Sequence, residues 1–140
     1  MSDERDQMAP EGVPSDALAG QPDSERTLLI VDDDEPLCQR LARAMERRGF
    51  IVRTADSVAA GIAAATEHPP VFAVVDMRLG DGSGLDVVKT LRKFRPNARV
   101  VMLTGYGNIA TAVAAVKAGA VDYLPKPVDA DAVERALLAT

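Results

Sequence analysis

One stretch near the middle of the chain, residues 71–84, limits what this sequence can fold into. Five apolar residues (VFAVV) end abruptly in the carboxylate of Asp76, and a glycine-rich loop follows. Residues 85–94 then carry apolar side chains at helical spacing. A short, fully apolar run followed by an amphipathic helix is typical of an interior strand in a parallel sheet. Because ligands of open α/β sheets bind outside the carboxyl ends of the strands, Asp76 is predicted to lie at the functional edge.

The same rhythm of an apolar run followed by a helical pattern occurs five times. The predicted strands span residues 27–31, 50–54, 71–75, 99–103 and 121–124. Strands and helices that alternate in this way predict an α/β fold, in which a doubly wound parallel sheet has helices on both faces. All crossovers between the strands are expected to be right-handed.

Capping residues mark the ends of the predicted helices. The side-chain oxygen of an N-cap accepts a hydrogen bond from one of the first backbone N–H groups, which have no partner inside the helix. The predicted N-caps are Ser57, Ser83, Asn108 and Asp129. Pro36 suits the first turn of the first helix, and Gly49 and Gly119 are placed to end the first and fourth helices.

Residues 1–25 differ from the rest of the chain in composition. They contain three prolines, two glycines and many acidic residues and serines, without apolar periodicity. Such a segment cannot bury enough apolar surface to order itself, so it is predicted to be a disordered tail. Residues 26–140 are predicted to form one domain, since single domains commonly span about 100–150 residues.

Composition and charge argue against several classes of function. The chain has 47% hydrophobic residues, a net charge of −5 and one cysteine. The acidic balance gives no electrostatic basis for binding nucleic acid, and no apolar run approaches the roughly 20 residues of a membrane span. A single cysteine cannot form an internal disulfide, which fits a reducing compartment. We therefore expect a cytoplasmic domain that does not contact a membrane.

Four of the five apolar runs end in polar groups: Asp32 and Asp33, Asp76, Thr104, and a stretch that leads to Lys126. The carboxyl ends of parallel strands lie side by side, so these residues are predicted to converge in one crevice. Clustered carboxylates repel one another without a counter-ion, and Mg²⁺ prefers carboxylate, carbonyl, water and phosphate oxygens. Lys126 adds a charge suited to a phosphoryl group. The pattern predicts phosphorylation of Asp76.

Four segments, LLIVDDDEP, VVDMRLGDGSGLDVV, VVMLTGYG and GAVDYLPKP, resemble the receiver domain of two-component response regulators. The resemblance covers about residues 27–139, and TGYGNIATAVAAVKAGAVDYLPKP is most similar to the RegA/PrrA/ActR group of redox-responsive regulators. It implies a flavodoxin-like (βα)5 fold with strand order 2-1-3-4-5. It also implies a Mg²⁺ (or Mn²⁺) cofactor and phosphorylation by a sensor histidine kinase or a small acyl phosphate.

The resemblance assigns a role to each acidic residue of the crevice. Asp76 matches the phosphoacceptor of the family. Asp33 and the backbone carbonyl of Arg78 match direct metal ligands, together with Asp76, and Asp32 matches the acid that usually acts through water.

The remaining family positions form a switch. Thr104 matches the hydroxyl that meets the phosphoryl group, and Tyr123 matches the aromatic residue that turns inward when Thr104 moves. Lys126 matches the family's lysine, and its bond to Pro127 resembles the family's cis peptide. One departure is Gly80, where the family often has proline, and this glycine is expected to loosen the loop after Asp76.

The resemblance further implies a regulatory switch rather than an enzyme. The group carries a C-terminal helix-turn-helix domain, and these 140 residues contain none, so DNA is expected to be reached only through a missing effector domain. A homodimer is expected through the fourth helix, fifth strand and fifth helix. Candidates for its ion pairs are Lys117, Asp122, Glu134 and Arg135. A solvated charged face is the alternative interpretation of these four residues.

Two other functions share parts of this pattern. A small haloacid-dehalogenase-like phosphatase would use Asp32 as nucleophile and Asp34 as acid–base. Against it, the chain lacks a cap insertion and a late acidic pair for the metal, and Asp76 would have no role. A flavodoxin-like cofactor binder would need aromatic loops to stack a flavin, and the chain has three Phe, two Tyr and no Trp.

Several polar residues also have simpler structural interpretations. Asp34 and Glu35 are expected in the first turn of a helix, where the macrodipole favours acidic side chains. Asp81 is expected to support a turn rather than to bind a ligand. Cys38 is expected to be a small, half-buried residue rather than a redox-sensing thiol, and His68 is expected to be exposed.

Overall fold

The computed structural model describes residues 26–105, 109–120 and 122–139. Two predictions, the tail over residues 1–25 and the N-cap at Asn108, lie outside the described residues. The strands are β1 Thr27–Val31, β2 Ile51–Ala55, β3 Phe72–Asp76, β4 Arg78–Leu79, β5 Gly82–Ser83, β6 Arg99–Thr104 and β7 Asp122–Pro125. The helices are α1 Glu35–Arg47, α2 Val58–Glu67, α3 Gly84–Phe94, α4 Ile109–Ala118 and α5 Ala130–Leu138.

Five of these strands form one parallel sheet in the order β2-β1-β3-β6-β7. Since β6 and β7 are the predicted fourth and fifth strands, the expected order 2-1-3-4-5 and the doubly wound α/β fold are confirmed. The sequence prediction was wrong about the loop after β3. There, β4 and β5 pair as a short antiparallel hairpin, in register Arg78↔Ser83 and Leu79↔Gly82. Strands of two residues are too short to produce a period in the sequence.

Several predicted strand ends shift by one residue. The strand β2 begins at Ile51 rather than at Phe50, whose ring is buried and packs edge-on against Phe72 at 5.4 Å between centroids. At the other edge, β3 and β6 continue through their polar ends, because Asp76 pairs with Leu103 and Thr104 pairs with Pro125. The polar residues therefore belong to the sheet itself.

Alternation along the buried strands divides the core between the two faces of the sheet. In β1, Leu29 and Val31 contact the cluster that includes buried residues of α2, α3 and α4. Leu28 and Ile30 contact the opposite cluster, built with α1 and α5. Side chains of consecutive strand residues point to opposite faces, so a strand with no polar position requires helices on both sides.

Three of the four predicted N-caps are observed, and the fourth, Asn108, lies outside the described residues. Ser57 accepts a hydrogen bond from Ala60 N at 3.0 Å, Ser83 from Leu85 N at 3.1 Å, and Asp129 from Ala132 N at 2.8 Å. Asp34 caps α1 by accepting from Leu37 N at 3.2 Å, which confirms its helix-terminus role. Each such cap typically contributes about 1 kcal/mol.

The helix C-terminal ends are held by positive-φ glycines and by arginines from other elements. Gly49 and Gly119 follow α1 and α4 with φ of 95° and 108°, as predicted. Arg92 of α3 donates to the carbonyl of Gly119. Arg99 donates to the carbonyl of Leu137 at 2.6 Å, at the end of α5. The bond to Leu137 satisfies a carbonyl in the last turn of α5, where the helix itself supplies no donor.

An ion-pair group joins α1 to α5. The guanidinium of Arg48 lies 2.7 Å from Glu134 Oε1 and 2.8 Å from Asp131 Oδ1. Glu134 was one of the candidates for inter-subunit ion pairs, and in this structure its carboxylate pairs within the chain. Lys117 and Arg135 are exposed, as is Asp122.

Across the described ranges, 26–105, 109–120 and 122–139, no helix is long and apolar enough to cross a membrane.

Gly84, the first residue of α3, lies against the end of β3. A Cβ placed on it would lie 2.0 Å from the carbonyl oxygen of Asp76 and 2.8 Å from a methyl group of Val75. The first of these atoms belongs to the backbone of an interior strand and cannot move without disturbing the sheet. Glycine at this position therefore lets α3 begin directly beside the strand that carries Asp76.

We predict that Gly84→Ala lowers the free energy of unfolding by about 3 kcal/mol, because the added methyl group overpacks a site bounded by backbone. Urea unfolding followed by circular dichroism measures the change. Gly105→Ala is the matched control, since a Cβ there meets nothing within 4 Å. Equal stability of the two variants would contradict the close approach of α3 to β3.

Cys38 lies on the buried face of α1 and is 4% exposed. Burial, followed by the negative charges of Asp32 and Asp56, raises the pKa of the Cys38 thiol to about 11. A thiol must be deprotonated to react, so these surroundings make Cys38 an inert core residue. His68 is exposed, as expected.

We predict that iodoacetamide does not modify Cys38 in the folded protein at neutral pH, because thiolate is scarce and access is blocked. Intact mass spectrometry measures the modification. The same reaction in guanidinium chloride is the control and should go to completion. Rapid labelling of the folded chain would instead identify an accessible, reactive thiol.

Candidate functional site

The carboxyl ends of four neighbouring strands bring the predicted residues together. Asp32 and Asp33 directly follow β1, Asp76 ends β3, Thr104 ends β6, and Lys126 directly follows β7. These strands are consecutive in the sheet and parallel, so their ends form one edge. The convergence expected from the sequence is therefore observed in the folded chain.

Three carboxylates lie at the centre of this edge. Oxygen atoms of Asp32, Asp33 and Asp76 all lie within 4.8 Å of one another. Asp32 is 1% exposed and Asp76 is 6% exposed, whereas Asp33 faces solvent. The group thus has two buried members and one that is open to water.

The ammonium group of Lys126 bridges the two buried carboxylates. Its Nζ lies 3.0 Å from Asp32 Oδ2 and donates a hydrogen bond to Asp76 Oδ2 at 3.1 Å. The other oxygen of Asp32 accepts from Asp34 N at 2.9 Å. The backbone N–H of Lys126 donates to the carbonyl of Thr104 at 2.8 Å, which fixes the lysine at the end of β6. The Lys126–Pro127 peptide is cis.

Burial is the main influence on the ionisation of Asp76. Burial raises the pKa of the Asp76 carboxyl, Lys126 opposes this, and the charge of Asp32 adds to it, so the net pKa is raised. Burial alone would lower the pKa of Lys126, but its bonds to Asp32 and Asp76 outweigh burial and raise it. Because the pKa of Asp76 is higher in the folded than in the unfolded chain, the free energy of unfolding falls as the pH rises through that pKa. A further cation near Asp76 would lower the pKa of its carboxyl group and favour the ionised form.

The hairpin β4–β5 follows Asp76 immediately. Arg78 N donates to Asp76 Oδ1 at 3.4 Å, so the start of the hairpin lies against the buried carboxylate. A Cβ on Gly80, in the turn, would lie 3.7 Å from Asp33 Oδ2. This is an ordinary contact distance, so the turn passes beside the solvent-facing acid without crowding it.

Asp81 has a structural role that sequence reasoning did not find. Its Oδ1 accepts from Val58 N at 2.8 Å and its Oδ2 accepts from Ala59 N at 3.1 Å. The bonds from Val58 and Ala59 lower the pKa of the Asp81 carboxyl below its usual value. Asp81 thus caps α2 from outside, in addition to Ser57. Its partners lie more than 20 residues away in sequence, so no local pattern could have identified them.

Thr104 and Tyr123, the two residues predicted to form a switch, lie on neighbouring strands. Thr104 is 1% exposed at the end of β6. Tyr123, in β7, pairs with Met102 and packs, partly buried, against the core cluster shared by α2, α3 and α4. The structure therefore places Thr104 and Tyr123 on adjacent strands, two residue pairs apart along the ladder.

The phosphatase alternative is not favoured. It requires Asp34 beside Asp32 in the reactive crevice, but the carboxylate of Asp34 caps α1. The group of three carboxylates contains Asp33 and Asp76 instead. The backbone N–H of Asp34 donates to Asp32, while the carboxylate of Asp34 bonds to the first turn of α1. The Asp34 carboxylate is therefore separated from the other acids.

Comparison with known proteins agrees with this geometry. The response regulator receiver domain profile matches residues 28–138. The chain is 65% identical over 116 residues to the photosynthetic apparatus regulatory protein RegA of Cereibacter sphaeroides, covering 83% of this chain and 63% of that protein. It is 61% identical over 114 residues to the acid tolerance regulatory protein ActR of Sinorhizobium medicae, covering 81% and 59%. This chain therefore spans less than two thirds of the length of these relatives.

Solved structures show the same likeness. A response regulator protein from Burkholderia pseudomallei, solved with a phosphorylated aspartic acid, a calcium ion and citrate, superposes with a TM-score of 0.77 at 41% identity, covering 81% of this chain and 67% of that one. A CheY-like receiver domain protein from Methanospirillum hungatei gives 0.74 at 31% identity, covering 80% and 90%. With the strand order and the acidic edge already matching, this chain belongs to the receiver domains of two-component response regulators, with RegA and ActR among its near relatives.

Proposed function

We propose that the chain is a phosphorylation switch in which Asp76 accepts a phosphoryl group from a sensor histidine kinase. The observation that carries this proposal is the contact of Lys126 Nζ with both Asp32 and Asp76, beside the third carboxylate of Asp33. The Burkholderia protein, which is similar to this chain, was solved with a phosphorylated aspartic acid. The same chemistry is proposed here for Asp76.

A divalent metal is part of the proposal. The ligands would be Asp33, Asp76 and the backbone carbonyl of Arg78, with Asp32 acting through water. Three hard oxygen donors from carboxylates, two of them buried, fit Mg²⁺ or Mn²⁺. When bound, the metal would neutralise charge on the transferring phosphoryl group.

The residues of this chain carry out the transfer. A carboxylate oxygen of Asp76 forms the new bond to phosphorus, and the phosphorus–nitrogen bond to the donor histidine breaks, with its electron pair returning to the imidazole. Lys126 is already held beside Asp76 and balances charge on the phosphoryl oxygens without reorganising. In the phosphorylated state, the hydroxyl of Thr104 moves to the phosphoryl group and Tyr123 fills the vacated space. This is a population shift between two packings.

The output surface is proposed to be α4, β7 and α5. Val113 and Val116 of α4 are 45% and 62% exposed, which gives this face apolar surface for a homodimer.

Residues 26–140 are proposed as the receiver domain, preceded by a tail over residues 1–25. Transcription control through DNA is proposed for an effector domain outside this chain, and the protein is proposed to act in the cytoplasm. The family consists of regulators, and we propose that this member only assists its own phosphorylation and dephosphorylation.

We predict that acetyl phosphate adds one phosphoryl group to the wild-type chain only when Mg²⁺ is present, and that Asp76→Asn abolishes this, because the amide cannot act as the acceptor. Intact mass spectrometry measures the addition. Asp86→Asn is the matched control, since Asp86 is an exposed acid of α3 that is not part of the group of three carboxylates. Labelling of Asp76→Asn, or an unlabelled wild type, would contradict the proposal.

We predict that Lys126→Met slows phosphorylation about 100-fold, because a preorganised cation no longer stabilises the transferring group. Mg²⁺ binding should not weaken, since the substitution removes a positive charge near the metal. Stopped-flow kinetics and calorimetry measure the two quantities. Lys89→Met, at an exposed position of α3, is the control and should change neither. An unaltered phosphorylation rate in Lys126→Met would contradict a role of the lysine in the transfer.

A further inference from the structure

The hairpin β4–β5 has little of its own to hold it in place. It consists of two antiparallel residue pairs and is not part of the main sheet. An isolated two-stranded hairpin is marginally stable in water. Gly80 occupies its turn, so no proline restricts the backbone there. The conformation of this hairpin must therefore be fixed by contacts with its neighbours.

One neighbour that supplies such contacts is the first turn of α2. The carboxylate of Asp81 accepts from two consecutive amides, Val58 N and Ala59 N, at 2.8 and 3.1 Å. Two bonds from adjacent N–H groups fix both the position and the orientation of the carboxylate. A carboxylate at a helix N-terminus is also favoured by the helix dipole.

Apolar contacts reinforce the same attachment. Leu79 of β4 and Val58 of α2 are both buried members of one core cluster. A Cβ on Gly82 would lie 3.5 Å from a methyl group of Val58, so the backbone of the hairpin lies close to the helix. The hairpin is therefore fastened to α2 on one side while its first residue, Arg78, lies against Asp76 on the other.

We propose that Asp81 is a positioning residue for the metal site. By bonding to α2, it holds the hairpin so that the backbone carbonyl of Arg78 stays where a metal bound to Asp76 can use it. This inference rests on the proposed function, because it concerns the metal ligands named there. Asp81 is not part of the group of three carboxylates, and it would act through the backbone of residues 78–81.

The test compares Asp81 with Ser57, which caps the same helix without belonging to the hairpin. Ser57 accepts from Ala60 N, so Ser57→Ala weakens the start of α2 and leaves the hairpin's own bonds intact. Asp81→Ala removes the two bonds between the hairpin and the helix. Asp81→Asn keeps one oxygen acceptor and serves as the milder variant if Asp81→Ala does not fold.

Mg²⁺ alone, titrated by calorimetry into the full chain, measures the metal affinity. We expect Asp81→Ala to raise the Kd for Mg²⁺ about tenfold, the size seen when a residue that orients a ligand is removed. Asp81→Asn should give a smaller increase. Ser57→Ala should lower the melting temperature without changing the Kd. Hydrogen exchange of residues 78–84 in metal-free protein should be faster in the Asp81 variants only.

The outcomes separate the inference from the proposed function. Wild-type protein that binds no Mg²⁺ and is not phosphorylated would overturn both. Wild-type protein that binds Mg²⁺, with unchanged Kd in the folded Asp81 variants, would overturn the positioning role and leave the phosphorylation switch standing. Equal increases in Kd for the Asp81 and Ser57 variants would show that Asp81 only stabilises α2.

Discussion

The contact of one ammonium group with two buried carboxylates is the interaction on which the functional edge depends. Lys126 lies 3.0 Å from Asp32 and 3.1 Å from Asp76, although the two acids end different strands. Without the lysine, two negative charges would be buried side by side, which is strongly unfavourable. Even with it, the pKa of Asp76 stays raised. The edge therefore holds three carboxylates against one lysine, which is the set of groups from which the metal site and the phosphorylation of Asp76 are proposed.

The sheet makes this arrangement possible because its interior strands need no polar positions. Leu29 and Val31 pack on one face of β1 while Leu28 and Ile30 pack on the other. Helices on both faces fix the strands in register, so the residues that end them are held with little freedom. Burial of the strands thus supplies the rigidity that a preorganised electrostatic site requires.

Most of this architecture could be predicted from the sequence. Short apolar runs, caps such as Ser57 and Asp129, and the positive-φ position at Gly49 are local signals, and the structure bears them out. The prediction was incomplete where no local signal exists. The hairpin β4–β5 is too short to have a period. The bond of Asp81 to α2 joins residues distant in sequence, so neither propensity nor spacing reveals it.

The sequence by itself determined which residue types stand at the strand ends, and with them the fold class and the chemistry of the crevice. Only the tertiary structure decided how deeply each acid is buried and which group it contacts. Asp32, Asp33 and Asp34 are consecutive and chemically identical, yet Asp32 is buried against Lys126, Asp33 faces solvent, and Asp34 caps α1. The physical reason is that the chain turns from strand to helix across these three residues, so each carboxylate leaves the backbone in a different direction.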